Sequence, residues 1–339
     1  MRWDSQRAGT DPQQALLGLD GLVRTVRSPD FHGITFHEVR ARSVLNRVPG
    51  QSAVPFSWTV NPYRGCSHSC VYCFARNTHT YLEFDAGADF DSQVVVKINA
   101  AEVLAAQLRR PSWTGEHVAM GTNTDPYQRA EGRYQLMPGI IRAFATYGTP
   151  FSILTKGTTL NRDIALLQSV SNEVDVGLGV SIALLDRELH RSVEPGTPSP
   201  QARLELVRRL RDAGLPCGVM IAPVLPGLTD STEQLDALLA AVADAGATSA
   251  TVLALHLRPG AREWYAQWLA REHPALGPRY REIYGRGSYA HASYRRTLAA
   301  RVGPLLRRHG FGREQEPEHR LPQPREGEPA PRPEQMRLL

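Results

Sequence analysis

Lysine is nearly missing from this 339-residue chain: all but two of its 39 Lys and Arg residues are arginine, the exceptions being Lys97 and Lys156. Where a surface cation is interchangeable, such a chain uses Arg, so the two lysines are candidates for places that need a compact ammonium. Cysteine is scarce too, four in all, and three of them fall between Cys66 and Cys73. That clustering excludes a disulfide scaffold and points to metal. No run approaches the roughly 18 apolar residues that a membrane span requires. The opening stretch MRWDSQRAGTDPQQ has no apolar core, so a secretory signal is not expected, and a cytoplasmic enzyme without a membrane partner is. The net charge of +5 favours anionic partners only weakly.

What is present is a regular alternation. Strand-like apolar runs occur at 57–63, 117–122, 150–157, 175–183, 216–224 and 248–257. Helical patterns lie between them near 99–109, 138–147, 161–171, 199–213 and 231–245, with another after 261. Asn161 and Ser231 suit N-caps, and Gly148, Gly214 and Gly246 suit helix ends. Arg203, Leu204, Leu206, Val207 and Leu210 fit one amphipathic helix with a basic outer face. Six strands alternating with helices predict an α/β fold with a parallel sheet, as a barrel or an open doubly wound sheet; periodicity leaves that choice open. In either arrangement the chemistry belongs at the C-terminal strand ends.

Residues 1–50 read as an irregular N-terminal arm, 51–260 as the core, 261–312 as a helical C-terminal extension and 313–339, rich in Pro and charge, as a disordered tail. The extension interleaves Tyr280, Tyr284, Tyr289 and Tyr294 with Arg279, Arg281, Arg286, Arg295 and Arg296. That texture serves either nucleic-acid binding or helix packing, with packing favoured.

The motif Cys66-Ser-His-Ser-Cys70-Val-Tyr-Cys73 directly follows the first core strand. Three thiolates on one short loop suit an iron–sulfur cluster with one iron left open. The competing reading is structural zinc, with His68 or His79 completing a Cys₃His set. No second CxxC knuckle exists, and Cys217 lies far off at a strand start, where a buried inert thiol is expected.

CxxxCxxC with Tyr72 just before the third cysteine resembles the radical S-adenosylmethionine (SAM) superfamily. NPYRGCSHSCVYCFAR is similar to its branch related to spore photoproduct lyase, often described as DNA repair photolyase-like. The similarity spans about residues 55–260 and recurs in VKINAAEVL, GTNTDPYQRAE, LTKG, EPGTPSPQARLELVRRL and APVLPGLTD. It implies a partial (β/α)₆ TIM-type barrel holding a [4Fe–4S] cluster on Cys66, Cys70 and Cys73. SAM would chelate the open iron and be cleaved reductively to a 5′-deoxyadenosyl radical. The implied electron donor is of the flavodoxin or ferredoxin type. Implied SAM contacts are Tyr72 near the adenine, Thr122, Asn123, Thr124 and Asp125 for the amino and carboxylate groups, Lys156 for the carboxylate, and Ser181 for the methionine or ribose end.

The reaction class is lyase-like or oxidoreductase, and the resemblance leaves the substrate open between a nucleic acid, a small metabolite and a peptide. A non-catalytic cluster protein that binds nucleic acid is the alternative from another class. That lyase uses a tyrosine after the third cysteine and a cysteine at the second strand end as hydrogen donors. Here those places hold Phe74 and the cysteine-free segment Gly121–Asp125, so the same relay is not expected. Lys97 and His256 are expected to be structural. Gly177-Leu-Gly179 lacks the continuation of a Rossmann nucleotide loop.

Overall fold

The computed structural model describes residue 19, residues 21–49 and residues 54–312. In chain order the strands are β1 Leu22–Arg27, β2 Thr35–Val39, β3 Leu45–Arg47, β4 Trp58–Val60, β5 Tyr63–Arg64, β6 Gln93–Lys97, β7 Val118–Met120, β8 Phe151–Thr155, β9 Val176–Ser181, β10 Gly218–Val224 and β11 Ser249–Ala254. The helices are α1 Ala88–Ser92, α2 Ala100–Leu108, α3 Arg129–Tyr134, α4 Met137–Thr146, α5 Ile164–Val170, α6 Arg187–Val193, α7 Pro200–Asp212, α8 Thr232–Asp244, α9 Ala261–Glu272, α10 Gly277–Tyr284 and α11 Ala292–Arg308.

A seven-stranded sheet runs β11-β10-β9-β8-β7-β4-β3. Its six strands β4 and β7 to β11 are mutually parallel, and β3 pairs antiparallel with β4 at one edge. These six are the strands expected from the apolar runs. Because β11 and β3 are its two ends, the sheet is an open partial barrel rather than a closed one. Strand residues such as Val118, Phe151, Ile153 and Val219 bury against Leu104, Ile140, Phe144, Leu206 and Leu239 of the covering helices. Burial on this scale supplies the main driving force for folding.

Helix ends follow local chemistry. Ser231 caps α8 in a reciprocal box with Gln234. Gly214 and Gly246 stand in the left-handed region just past α7 and α8, where a Cβ is costly. Asn161 is no N-cap: it lies in a 3₁₀ segment, and Asp163 occupies the N-cap of α5.

Between residues 21 and 49 the N-terminal arm, expected to be irregular, forms strands. It contributes β1 and β2 to a second sheet, ordered β1-β2-β6-β5, and β3 to the main one. The polarity of β2 conceals it: His37 and Glu38 are buried but satisfied, His37 by Thr25 and Gln93, and Glu38 by Arg24 and Tyr134. In the extension, α9 to α11 pack back onto the main sheet and its loops. Tyr265 and Tyr280 share a hydroxyl contact of 2.8 Å, Tyr284 donates to the Leu255 carbonyl, and Tyr294 donates to Asp230. The inward tyrosines thus serve packing, while Arg281, Arg286, Arg295 and Arg296 stay exposed. The tail 313–339 lies outside the described residues, where no helix is long and apolar enough to cross a membrane.

Candidate active site at the strand C-termini

The cysteine loop leaves the end of β5 through Gly65, at φ +74°, where an added Cβ would sit 2.8 Å from the Gln93 carbonyl. Tight turns follow: Ser69 N–H donates to Cys66 O at 3.2 Å and Cys73 N–H to Cys70 O at 3.2 Å. Ser67 N–H is held by the Gln128 side chain at 2.9 Å. Arg76, wholly buried, donates to Cys70 O at 2.9 Å and to both oxygens of Asp91, with its guanidinium over Phe90 and Trp264. These contacts pin the loop at several points and limit the freedom of its thiols.

All three thiols are free, with Cys66 and Cys70 buried. Burial pushes the Cys73 thiol up to about 11, aided by the neighbouring Cys66, and pushes Cys70 well up, with Glu194, Cys73 and Cys66 adding to it. The thiols therefore feel one another's charge, a repulsion that a cationic centre between them relieves. The buried Ser67 hydroxyl on the same loop has no protein partner. A soft three-sulfur donor set with an unsatisfied hydroxyl beside it fits an iron–sulfur cluster.

Each histidine weighed for a Cys₃His zinc set has one ring nitrogen engaged elsewhere. His68 Nδ1 is 3.3 Å from Asp125, and His79 Nε2 is bonded to Gln93 O at 2.8 Å between Phe84 and Phe90. Among the described residues no three His, Cys, Asp or Glu side chains converge closely enough to hold a single metal ion. Burial alone lowers the His68 pKa, but Cys66 and Asp125 outweigh it and lift it to about 10.

Asp125, just after β7, is a junction. It accepts from Thr155 Oγ1 at 2.6 Å, from Lys156 N–H at 2.6 Å and from Tyr127 N–H at 2.8 Å, besides pairing with His68. These contacts hold its pKa down despite burial. Thr124 is buried and donates to Gly65 O at 2.8 Å. Both residues, expected to meet SAM, tie the strand ends to the cysteine loop. Thr122 is half-buried and Asn123 exposed, which leaves their side chains open, near Asn61.

The third wall comes from residues 193–197. Val71 N–H donates to Val193 O at 3.0 Å and Gly196 N–H to His68 O at 3.1 Å, clasping the loop. Between these contacts sits Glu194, completely buried. Its carboxylate accepts from the Tyr72 hydroxyl, from Arg203 Nη2 at 2.5 Å and from Thr197, and lies 3.2 Å from Lys156 Nζ. Burial alone raises the pKa of Glu194, but Arg203 and Lys156 win and hold it far below the carboxylate range. Lys156 Nζ donates to Ser181 Oγ at 2.7 Å and lies over the Tyr72 ring. Tyr72, Lys156 and Ser181, expected from separate motifs, are thus brought together. Burial keeps the nearby His190 below its usual pKa, so it adds no charge at neutral pH. Two cations against one carboxylate leave this pocket wall one anion short.

Glu194 and Arg203 are the functional-site residues that sequence reasoning passed over, although both lie in the EPGTPSPQARLELVRRL motif. The available signal was an arginine on the apolar stripe of α7; buried arginines are rare unless paired. Elsewhere, Cys217 is fully buried ahead of β10, away from the C-terminal strand ends, its thiol pushed up to about 12 by burial. Lys97 is buried and donates to Asn61 O at 2.8 Å. His256 stacks edge-on with Tyr289 at 4.7 Å.

The chain thus combines an open partial β/α barrel of the TIM type with a three-cysteine loop and a Lys156–Arg203–Glu194 cluster at its strand C-termini. The family model of the radical SAM superfamily matches residues 60–239, and the chain belongs to that superfamily, whose members use SAM and an iron–sulfur cluster. An uncharacterized protein of Mycobacterium tuberculosis is 58% identical over 94% of this chain and 95% of its own length. Another, from Methanocaldococcus jannaschii, is 26% identical over 57% of this chain and 69% of its own. Among solved structures, a spore photoproduct lyase mutant with bound AdoMet and dinucleoside spore photoproduct aligns at TM-score 0.63 and 15% identity. That match covers 82% of this chain and 80% of that one. At this identity the likeness speaks for the fold.

Proposed function

We propose that this protein is a radical SAM enzyme that binds a [4Fe–4S] cluster through Cys66, Cys70 and Cys73 and acts on nucleic acid. The observation that carries the reading is the buried wall of Lys156, Arg203 and Glu194, one anion short, next to the trithiol loop. A carboxylate-bearing ligand neutralises it. When bound, the cluster and SAM supply a 5′-deoxyadenosyl radical that abstracts hydrogen from substrate, given an electron from a flavodoxin- or ferredoxin-type donor.

The chain's own residues bind and orient. Lys156 and Ser181 take the carboxylate end, Tyr72 lies toward the adenine, and Thr122 and Asn123 offer polar groups at the β7 end. Thr124 and Asp125 act one step back, by holding the loop. Burial of the loop excludes water from the reacting centre.

A nucleic-acid substrate is favoured by the rim. Phe74 is 43% exposed with the Arg258 guanidinium over its ring at 5.3 Å, and Tyr289 is 45% exposed against His256. Exposed rings beside arginines stack bases and neutralise phosphates. The lyase neighbour of this fold is itself complexed with a dinucleoside.

The test is anaerobic reconstitution with SAM and dithionite. Wild-type protein is expected to release 5′-deoxyadenosine. Lys156→Met should keep the cluster and lose about 1.5–3 kcal/mol of SAM affinity, the worth of a charge-assisted contact. Unchanged SAM affinity in that variant refutes the assignment of Lys156. Absence of deoxyadenosine from cluster-loaded protein refutes the reaction and leaves a binding protein. Salt-dependent binding of single-stranded oligonucleotide, weakened in Phe74→Ala and Arg258→Ala, tests the substrate class.

A further inference from the structure

We propose that Glu194 is a positioning residue: its buried carboxylate sets the Lys156 ammonium in register with the cysteine loop. This rests on the reading above that Lys156 meets the SAM carboxylate. Three elements meet at this one group. Tyr72 reaches it from the cysteine loop, Lys156 from the end of β8 at 3.2 Å, and Arg203 from α7 at 2.5 Å. Glu194 itself is carried by the segment that clasps the loop through Val193 and Gly196. A displacement of the loop is therefore transmitted to the cation through a single rigid side chain.

Exposure shows which cation is left to act. Arg203 gives Nη1 to Ser181 O at 2.8 Å and Nη2 to Glu194; its Nε has no partner but is wholly buried, whereas the Lys156 side chain keeps 14% of its surface exposed. Lys156 gives one N–H to Ser181 Oγ at 2.7 Å and faces Glu194 with another. An ammonium carries three donors, so one remains for an incoming anion. A flexible four-carbon stem held by Ser181 alone would sample several rotamers; the second contact, to Glu194, fixes the direction of that third donor.

Simple electrostatics predicts the opposite behaviour, which makes the idea testable. Removing a negative charge beside an anion site should strengthen anion binding. Positioning predicts that Glu194→Gln weakens it. The experiment measures SAM affinity of reconstituted protein, together with the change in the reduced cluster's electron paramagnetic resonance spectrum on adding SAM. It compares wild type, Glu194→Gln, Lys156→Met and the double variant. Expected is a loss of about tenfold for Glu194→Gln in the wild-type background and almost none in the Lys156→Met background, the non-additivity of residues acting through one another. The spectral response to SAM should fall in parallel, with iron content retained.

Wild-type or tighter affinity in Glu194→Gln overturns the proposal, and so does an equal loss in both backgrounds. Wild-type affinity in Lys156→Met defeats the underlying assignment instead, a separately visible result. If Glu194→Gln loses its iron because Arg203 is left buried and unpaired, Tyr72→Phe decides. That variant removes only the hydroxyl that ties Glu194 to the loop and should bind SAM at least about threefold more weakly, the loss of a hydrogen bond to an ionised carboxylate, with its cluster intact. Unchanged affinity in Tyr72→Phe overturns the proposal.

Discussion

Gly196→Ala gives the sharpest structural test of the clasp on the cysteine loop. A Cβ at Gly196 would lie 2.0 Å from the Ser67 carbonyl oxygen and 3.0 Å from the backbone of His68. Both neighbours are backbone, so neither can rotate away, and the 193–197 segment must retreat by about 1 Å or more to restore van der Waals distance. That retreat breaks the bonds from Gly196 N–H to His68 O and from Val71 N–H to Val193 O. At about 0.5–1.5 kcal/mol each, with buried groups left unsatisfied, the loss is roughly 1–3 kcal/mol. For a protein of this size the thermal midpoint should fall by about 1–2 °C per kcal/mol. Because the clasp bears on the loop holding all three thiols, iron per chain after anaerobic reconstitution should fall as well. The control is Gly132→Ala in α3, where the added methyl meets nothing within 4 Å; helix propensity predicts a gain of about 0.5–1 kcal/mol there. Wild-type iron content together with an unshifted midpoint in Gly196→Ala would refute the clasp.

Three other outcomes are expected. Reconstituted protein should hold about four irons and four sulfides per chain; Cys66→Ala, Cys70→Ala or Cys73→Ala should each abolish that, Cys217→Ala should not, and stoichiometric zinc without iron would count against the cluster. His79, whose pKa burial depresses from 6.5 to about 4, has an unpartnered Nδ1 among aromatic rings. The unfolded chain takes up this proton first, so stability is full above pH 6.5 and falls toward pH 4 by up to about 3 kcal/mol. His79→Gln should flatten denaturation midpoints across that window, and an unaltered pH dependence contradicts the account. Finally, the enzyme should release deoxyadenosine yet fail to repair dinucleoside spore photoproduct, because Phe74 has no O–H to give and Cys217 is buried before β10. Thymine dinucleotide formed at a lyase-like rate would show that reading to be mistaken.

The parallel strands were legible because each is a short apolar run that needs no partner to be recognised, although only β7 is buried along its whole length. The cysteine loop was legible for a local reason: Cys66, Cys70 and Cys73 are close in sequence, so placing them on one loop needs only a few turns. Lys156 stood out through composition. The second sheet was hidden because β2 buries His37 and Glu38, whose partners Gln93 and Tyr134 lie 56 and 96 residues away. Polarity argues against a strand until such partners are known.

Sequence by itself thus determined the superfamily and the order of the barrel elements, both of which depend on residue type and short-range spacing. Tertiary structure alone decided how the polar residues divide their work. Asp125 and Lys156 both looked like ligand contacts at strand ends. Folding saturates Asp125 with His68, Thr155, Tyr127 and the Lys156 amide, but leaves the Lys156 ammonium a donor to spare. Glu194 and Arg203 acquire their place only where the cysteine loop, β8 and α7 meet. The physical reason is that a buried charge takes its character from the donors and charges around it, and those come from segments distant in the chain.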